Sequence, residues 1–121
     1  MNAPDRYEKF VVPEHLLKVE VRKDTKVADA ATFVIQREDH TVGNLVRMQL
    51  LEDKDIMFAG YKIPHPLQYQ LLIKVQTNGS KTPQRAVQSA IGSLEEELRD
   101  IREKFLADVA RFGSGEESML A

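Results

Sequence analysis

The chain has 121 residues, with 17 Lys and Arg against 19 Asp and Glu and no cysteine. A formal net charge of −2 argues against nucleic-acid binding by bulk electrostatics, and the missing thiols exclude disulfides, iron–sulfur clusters, zinc fingers and cysteine nucleophiles. With 42% hydrophobic and 30% charged residues the composition is that of one globular domain, which if compact would expose roughly 6,600 Å².

Residues 16–22 alternate: Leu17, Val19 and Val21 point one way and Lys18, Glu20 and Arg22 the other, the pattern of a half-buried strand. A polar connection over 23–29 leads to a second strand from Thr32 to Arg37, with Phe33 and Ile35 on one face. The period then changes to that of a helix, capped by Thr41 and running through Glu52. Leu45, Met48 and Leu51 line one of its sides, with Val42, Val46 and Leu50 beside them. A third strand is expected over Ile56–Ile63, closed by Pro64, His65 and Pro66, and a fourth over Gln70–Thr77, where Leu71, Ile73 and Val75 alternate with polar residues. Asn78 and Gly79 form a turn. Thr82 then caps a helix with Pro83 at its first position, and Gly113 is its expected stop. Residues 1–112 thus form a single domain, and 113–121 a short acidic tail expected to be disordered. The order ββαββα with short connections predicts an α+β fold: a four-stranded, mainly antiparallel sheet with two helices on one face.

The last helix carries the strongest physical signal. Some 29 residues span roughly 44 Å at 1.5 Å rise per residue, whereas a seven-residue strand spans about 23 Å. Yet Val87, Ile91, Leu94, Leu98, Ile101 and Phe105 continue at spacings of 4, 3, 4, 3 and 4, and Val109 and Phe112 extend the seam. The residues up to Leu94 suit the core of the domain. Those from Ile101 onward have no sheet beneath them and would form an exposed apolar patch of the kind that marks an interface. The pattern leaves open whether the partner is a second copy or a different chain, and a homodimeric interaction module is the alternative reading.

Chemistry-bearing groups are sparse. Asp39 and His40, with Glu38, could be imagined as a carboxylate–imidazole acid/base pair. Adjacent residues point apart, however, and at a strand-to-helix junction Asp39 and Thr41 more readily satisfy free backbone N–H groups. His15, His40 and His65 have no metal-ligand spacing, and no glycine loop of phosphate-gripping type is present, so neither metal nor cofactor is expected. Lys81 and Arg85 read as a solvated helix start. Gly43, two residues into a helix, costs about 1 kcal/mol relative to alanine. Close approach of another backbone would justify it, with Asn44 hydrogen-bonding alongside, and so would local packing. No apolar stretch approaches the ~20 residues of a membrane span, and the charged start at Asp5, Arg6, Glu8 and Lys9 is unlike a secretory signal.

Three stretches carry a family resemblance: Glu38, Asp39, His40, Thr41, Val42, Gly43, Asn44 and Leu45; then Phe58, Ala59, Gly60 and Tyr61; then His65, Pro66 and Leu67. In this pattern the chain resembles the small alpha-like subunits of eukaryotic and archaeal RNA polymerases. The opening Met1, Asn2, Ala3, Pro4, Asp5 and Arg6, with Phe10, is similar to the polymerase II branch. The resemblance implies an alpha-type dimerisation fold with a long C-terminal dimerisation helix, and a non-catalytic subunit of a nuclear enzyme. It implies a heterodimer with the larger alpha-like third subunit, which forms a platform for the second-largest and largest subunits, without direct specific DNA contact or a membrane. Interface positions expected on this reading are Thr41, Gly43, Asn44, Leu94, Leu98, Ile101, Phe105 and Val109. Glu38, Asp39, His40, Tyr61, His65 and Pro66 form the family's structural motif.

Overall fold

The computed structural model describes residues 3–120, with side chains through residue 115. After a 3-10 turn at Arg6–Lys9 come β1 (Val19–Lys23), β2 (Ala30–Gln36), α1 (His40–Leu51), β3 (Ile56–Lys62), β4 (Gln70–Thr77) and α2 (Pro83–Leu120). The sheet has the order β1-β2-β4-β3 and every pairing is antiparallel. β4 alternates as its sequence requires, while β2 is buried on both sides at Val34, which is 1% exposed. Ala31, Phe33 and Ile35 of β2 and Leu71, Ile73 and Val75 of β4 join one buried cluster with Val46 and Leu50 of α1 and Ala86, Val87 and Ala90 of α2. Both helices therefore lie on the same face of the sheet and pack against each other.

The strand edges differ from expectation where tertiary partners end. β1 begins at Val19, and Leu17 is 75% exposed, because the edge strand has only β2 to pair with and the register runs from Val19↔Ile35 to Lys23↔Ala31. α1 begins one residue ahead of Thr41. Asp39, extended at φ −132° and ψ −165°, is the cap, and its Oδ1 accepts from the Thr41 amide at 2.9 Å. The Asn78-Gly79 turn forms as expected, with Gly79 at φ 94°. At the start of α2 the Arg85 amide donates to Thr82 Oγ1 at 3.2 Å, the cap anticipated from Thr82-Pro83.

The end of α2 corrects the sequence reading. The helix passes through Gly113 and on to Leu120 instead of stopping. Among the described residues the only glycine with positive φ is Gly79, so Gly113 adopts no left-handed cap and the helix is not turned back. Most of the expected disordered tail thus falls within the helix. Its side chains from 116, and Ala121 altogether, lie outside the described residues. The consequence is a large surface: the chain exposes 9256 Å², against the roughly 6,600 Å² of a compact chain of this mass. Much of α2 projects beyond the domain.

Candidate partner interface

The motif from Glu38 to Tyr61 converges at the start of α1. Glu38 Oε1 accepts from Lys18 Nζ at 2.8 Å, and Asp39 holds the helix N-terminus. His40 Nδ1 lies 3.0 Å from the Tyr61 hydroxyl, with the two rings edge-to-face at 5.6 Å, and the Arg47 guanidinium sits 5.9 Å from the Tyr61 ring centroid. Asp39 and His40 are therefore each engaged elsewhere: one caps a helix and the other docks on a tyrosine. This cluster locks α1 to β3, and its arrangement is architectural. His65 and Pro66 stand apart, exposed in the β3–β4 connection, where the His65 carbonyl accepts from the Gln68 amide at 3.3 Å.

Gly43 belongs to this lock and not to an outer surface. A Cβ built there would stand 2.6 Å from Tyr61 Cδ2 and 2.9 Å from Leu71 Cδ1, so the close approach it permits is made by the chain's own side chains. The expectation that Gly43 faces a partner is corrected accordingly. Thr41 and Asn44 are exposed on the outer side of the helix start, where Asn44 Oδ1 accepts from Arg47 Nη2 at 2.7 Å.

The inner half of α2 seats itself with small residues. Ala86 is fully buried, Val87 and Ala90 are 7% exposed, and Leu94 is half-buried at the margin of the core. The alanines let the helix approach the sheet closely and occupy the centre of the face. Ile91 is displaced to its edge and is 41% exposed, unlike its expected place inside. Beyond Leu94 the same side of the helix continues without cover, since Ala90 and Ile101 differ by about three whole turns at about 3.6 residues per turn. Leu98, Ile101, Phe105 and Val109 are exposed by 54%, 60%, 65% and 52%. α1 contributes a second apolar row on its outer side, Leu45, Met48 and Leu51, all exposed. Sequence reasoning placed these residues on a helix side without seeing that it faces outward. The signal was present, because α1 is apolar on two sides and one flank of a sheet can cover only one of them.

The end of α1 and the start of α2 are joined by a polar clamp. Lys81 Nζ lies 2.5 Å from Asp53 Oδ2 and 3.7 Å from Asp55 Oδ2, tying the turn after α1 to the turn before α2. Asn78 Nδ2 donates to Asp55 Oδ1 at 3.2 Å, and the hydroxyl of buried Thr77 donates to the Lys81 carbonyl at 2.7 Å. The Lys81 ammonium, with the Asp55 amide, holds the Asp53 carboxyl below its usual range. In return Asp53, then Asp55, raises the Lys81 amine above its own. The view of Lys81 as a merely solvated helix start is corrected by this clamp. No group of three His, Cys, Asp or Glu among the described residues is arranged to hold a metal ion, and no described helix is long and apolar enough to cross a membrane.

A sheet with two helices on one side, one of them running on with an uncovered apolar face, defines a dimerisation-type assembly domain. A family model described as the RNA polymerase Rpb3/Rpb11 dimerisation domain matches residues 30–104. The chain is 46% identical to the DNA-directed RNA polymerase II subunit rpb11 of Dictyostelium discoideum, over 92% of each chain. It is 38% identical to the RNA polymerase II subunit RPB11 of Schizosaccharomyces pombe, over 89% of this chain and 87% of that one. The fold is shared with the solved DNA-directed RNA polymerase subunit L of Thermoplasma acidophilum, at 24% identity and a TM-score of 0.65, covering 81% of this chain and 96% of that one. The chain belongs to the RNA polymerase Rpb3/Rpb11 dimerisation-domain family. It is a non-catalytic subunit of the transcription machinery, with its partnership inside the polymerase complex.

Proposed function

We propose that the chain is the small alpha-like subunit of RNA polymerase II and heterodimerises with the larger alpha-like third subunit, the pair serving in the nucleus as a platform for the second-largest and largest subunits. The observation that carries this reading is the apolar face of α2 beyond the sheet, where Leu98, Ile101, Phe105 and Val109 are all more than half exposed. Burying each such side chain contributes about 1.5–3 kcal/mol before ordering costs, enough in sum for a stable pairing. Leu94 links this face to the core, and the outer row of α1, with Thr41 and Asn44 at its start, supplies a flank. The similarity to RPB11 chains over most of their length supports the polymerase II assignment.

The test is co-expression with the third subunit. Ile101→Asp combined with Phe105→Asp places two carboxylates without counter-ions in the pairing face. Pull-down should fall at least about 100-fold, the scale of losing central anchors, while circular dichroism of the isolated chain stays unchanged. Normal pairing by the double variant would refute the assignment of α2. A homodimer by size exclusion that the same variant disrupts would point to self-association instead.

A further inference from the structure

The helices cover one face of the sheet; the other face has its own chemistry. Strand register places Lys74 between Gly60 and Thr32, and Leu72 between Lys62 and Val34, all on the side opposite Ile73 and Phe33. Arg22 and Glu20 follow on β1 as the neighbours of Thr32 and Val34. Phe58 is 49% exposed on this side, and its ring lies over Gly60, where a Cβ would meet Phe58 Cζ at 3.1 Å. Thr32, Phe58, Gly60, Lys62, Leu72 and Lys74 line an open groove of 460 Å³.

Beside the apolar floor stand two ammonium groups, those of Lys62 and Lys74. Lys62 takes part in no ion pair among the described residues. Lys74 has only Asp24, at 3.5 Å. Asp24 Oδ1 accepts from the Lys26 and Val27 amides at 2.8 and 3.0 Å, which hold its carboxyl below the usual range. Glu20, the one acidic side chain in these rows, is bonded to Arg22 at 3.2 Å. An exposed aromatic floor between the unpaired Lys62 ammonium and that of Lys74, which has a single partner at 3.5 Å, matches an occupant with an apolar residue flanked by carboxylates. A nucleic acid is the poorer match, since two lysines on a chain of net charge −2 neutralise too few phosphates.

We propose that this face docks an acidic protein segment of the polymerase, with a leucine or aromatic residue seated on Phe58, Gly60 and Leu72 and flanking carboxylates paired with Lys62 and Lys74. The site lies across the sheet from the pairing helix and stands independently of the reading of α2. The chain would then join two neighbours, one through its helices and one through the back of its sheet.

The experiment uses the assembled polymerase, purified through a tag on another subunit, with Phe58 replaced by p-benzoylphenylalanine and crosslinks mapped by mass spectrometry. A crosslink to a segment with at least two carboxylates beside an apolar residue supports the proposal. A crosslink to a segment without carboxylates, a crosslink to nucleic acid, or no crosslink overturns it. In parallel, Lys62→Glu with Lys74→Glu should lower incorporation into the polymerase about tenfold, more at low salt than at high, while pairing with the third subunit stays intact. Both positions are exposed, so circular dichroism should be unchanged. Normal incorporation of the charge-reversed chain, or loss of the heterodimer with it, overturns the proposal, whereas failure of the helix reading would show only in the Ile101 and Phe105 variants.

Discussion

The two halves of α2 are built from similar sequence and live in opposite environments. From Pro83 to Leu94 the helix presses two alanines and a valine into the sheet; from Leu98 to Phe112 it shows leucine, isoleucine, valine and phenylalanine to solvent. The larger apolar residues are on the uncovered half. The seated half needs small side chains to come close to strands already filled with Phe33, Leu71 and Ile73, and on the proposed function the free half keeps bulk to fill the grooves of a partner. On that proposal, burial in this chain is divided between folding and assembly.

Charges inserted in the two halves should separate these roles most sharply. Val87→Asp puts an unpaired carboxylate in the core and should cost several kcal/mol, unfolding the isolated domain in thermal denaturation, whereas the Ile101 and Phe105 pair of substitutions should leave its melting temperature unmoved. Gly43→Ala should be next in size. The added methyl meets Tyr61 and Leu71 well inside contact distance, and a loss of about 1–3 kcal/mol is expected in urea denaturation. An unaltered midpoint would mean that the Tyr61 ring moves aside freely.

Asp39→Ala tests the lock between α1 and β3 and should cost about 1 kcal/mol, the scale of a lost helix cap. Polymerase that does assemble with it should elongate at the normal rate. A large drop in rate at normal abundance would return the Asp39–His40 pair to chemistry. The smallest effect should come from the clamp. With Asp53 lowered and Lys81 raised in the folded state, its stabilisation is present above the unfolded carboxylate range and is lost as pH falls through the folded Asp53 value. At the other end it is lost only as pH rises through the raised value of Lys81. Lys81→Met should therefore lower the melting temperature at neutral pH and flatten its decline toward pH 3, read by calorimetry across pH.

The sheet, the alternation of β4 and the start of α2 were legible because each rests on local pattern: Leu71, Ile73 and Val75 on period two, and Thr82-Pro83 on cap chemistry, whereas the cap of α1 is Asp39 and not the expected Thr41. The outward helix stripe was legible for a different reason, since helix length exceeds strand length whatever the topology. What sequence could not supply was anything set by contacts distant along the chain. The meeting of Gly43 with Tyr61 and Leu71 depends on how α1 crosses β3 and β4. The pairing of Lys81 with Asp53 depends on two turns 28 positions apart coming together. The helix end was missed because a glycine allows a left-handed cap without imposing one.

The reach of α2 makes it a lever. From Pro83 to Phe112 it extends about 45 Å, so a tilt of only about 10° at its root would sweep the far end through about 8 Å. The angle at the root is held by Ala86 and Ala90 on the sheet and by Lys81 between Asp53 and Asp55. A modest loosening there, far from any residue that touches a partner, would misplace the tip by more than the width of a side chain. Accuracy of assembly is therefore decided at the pivot.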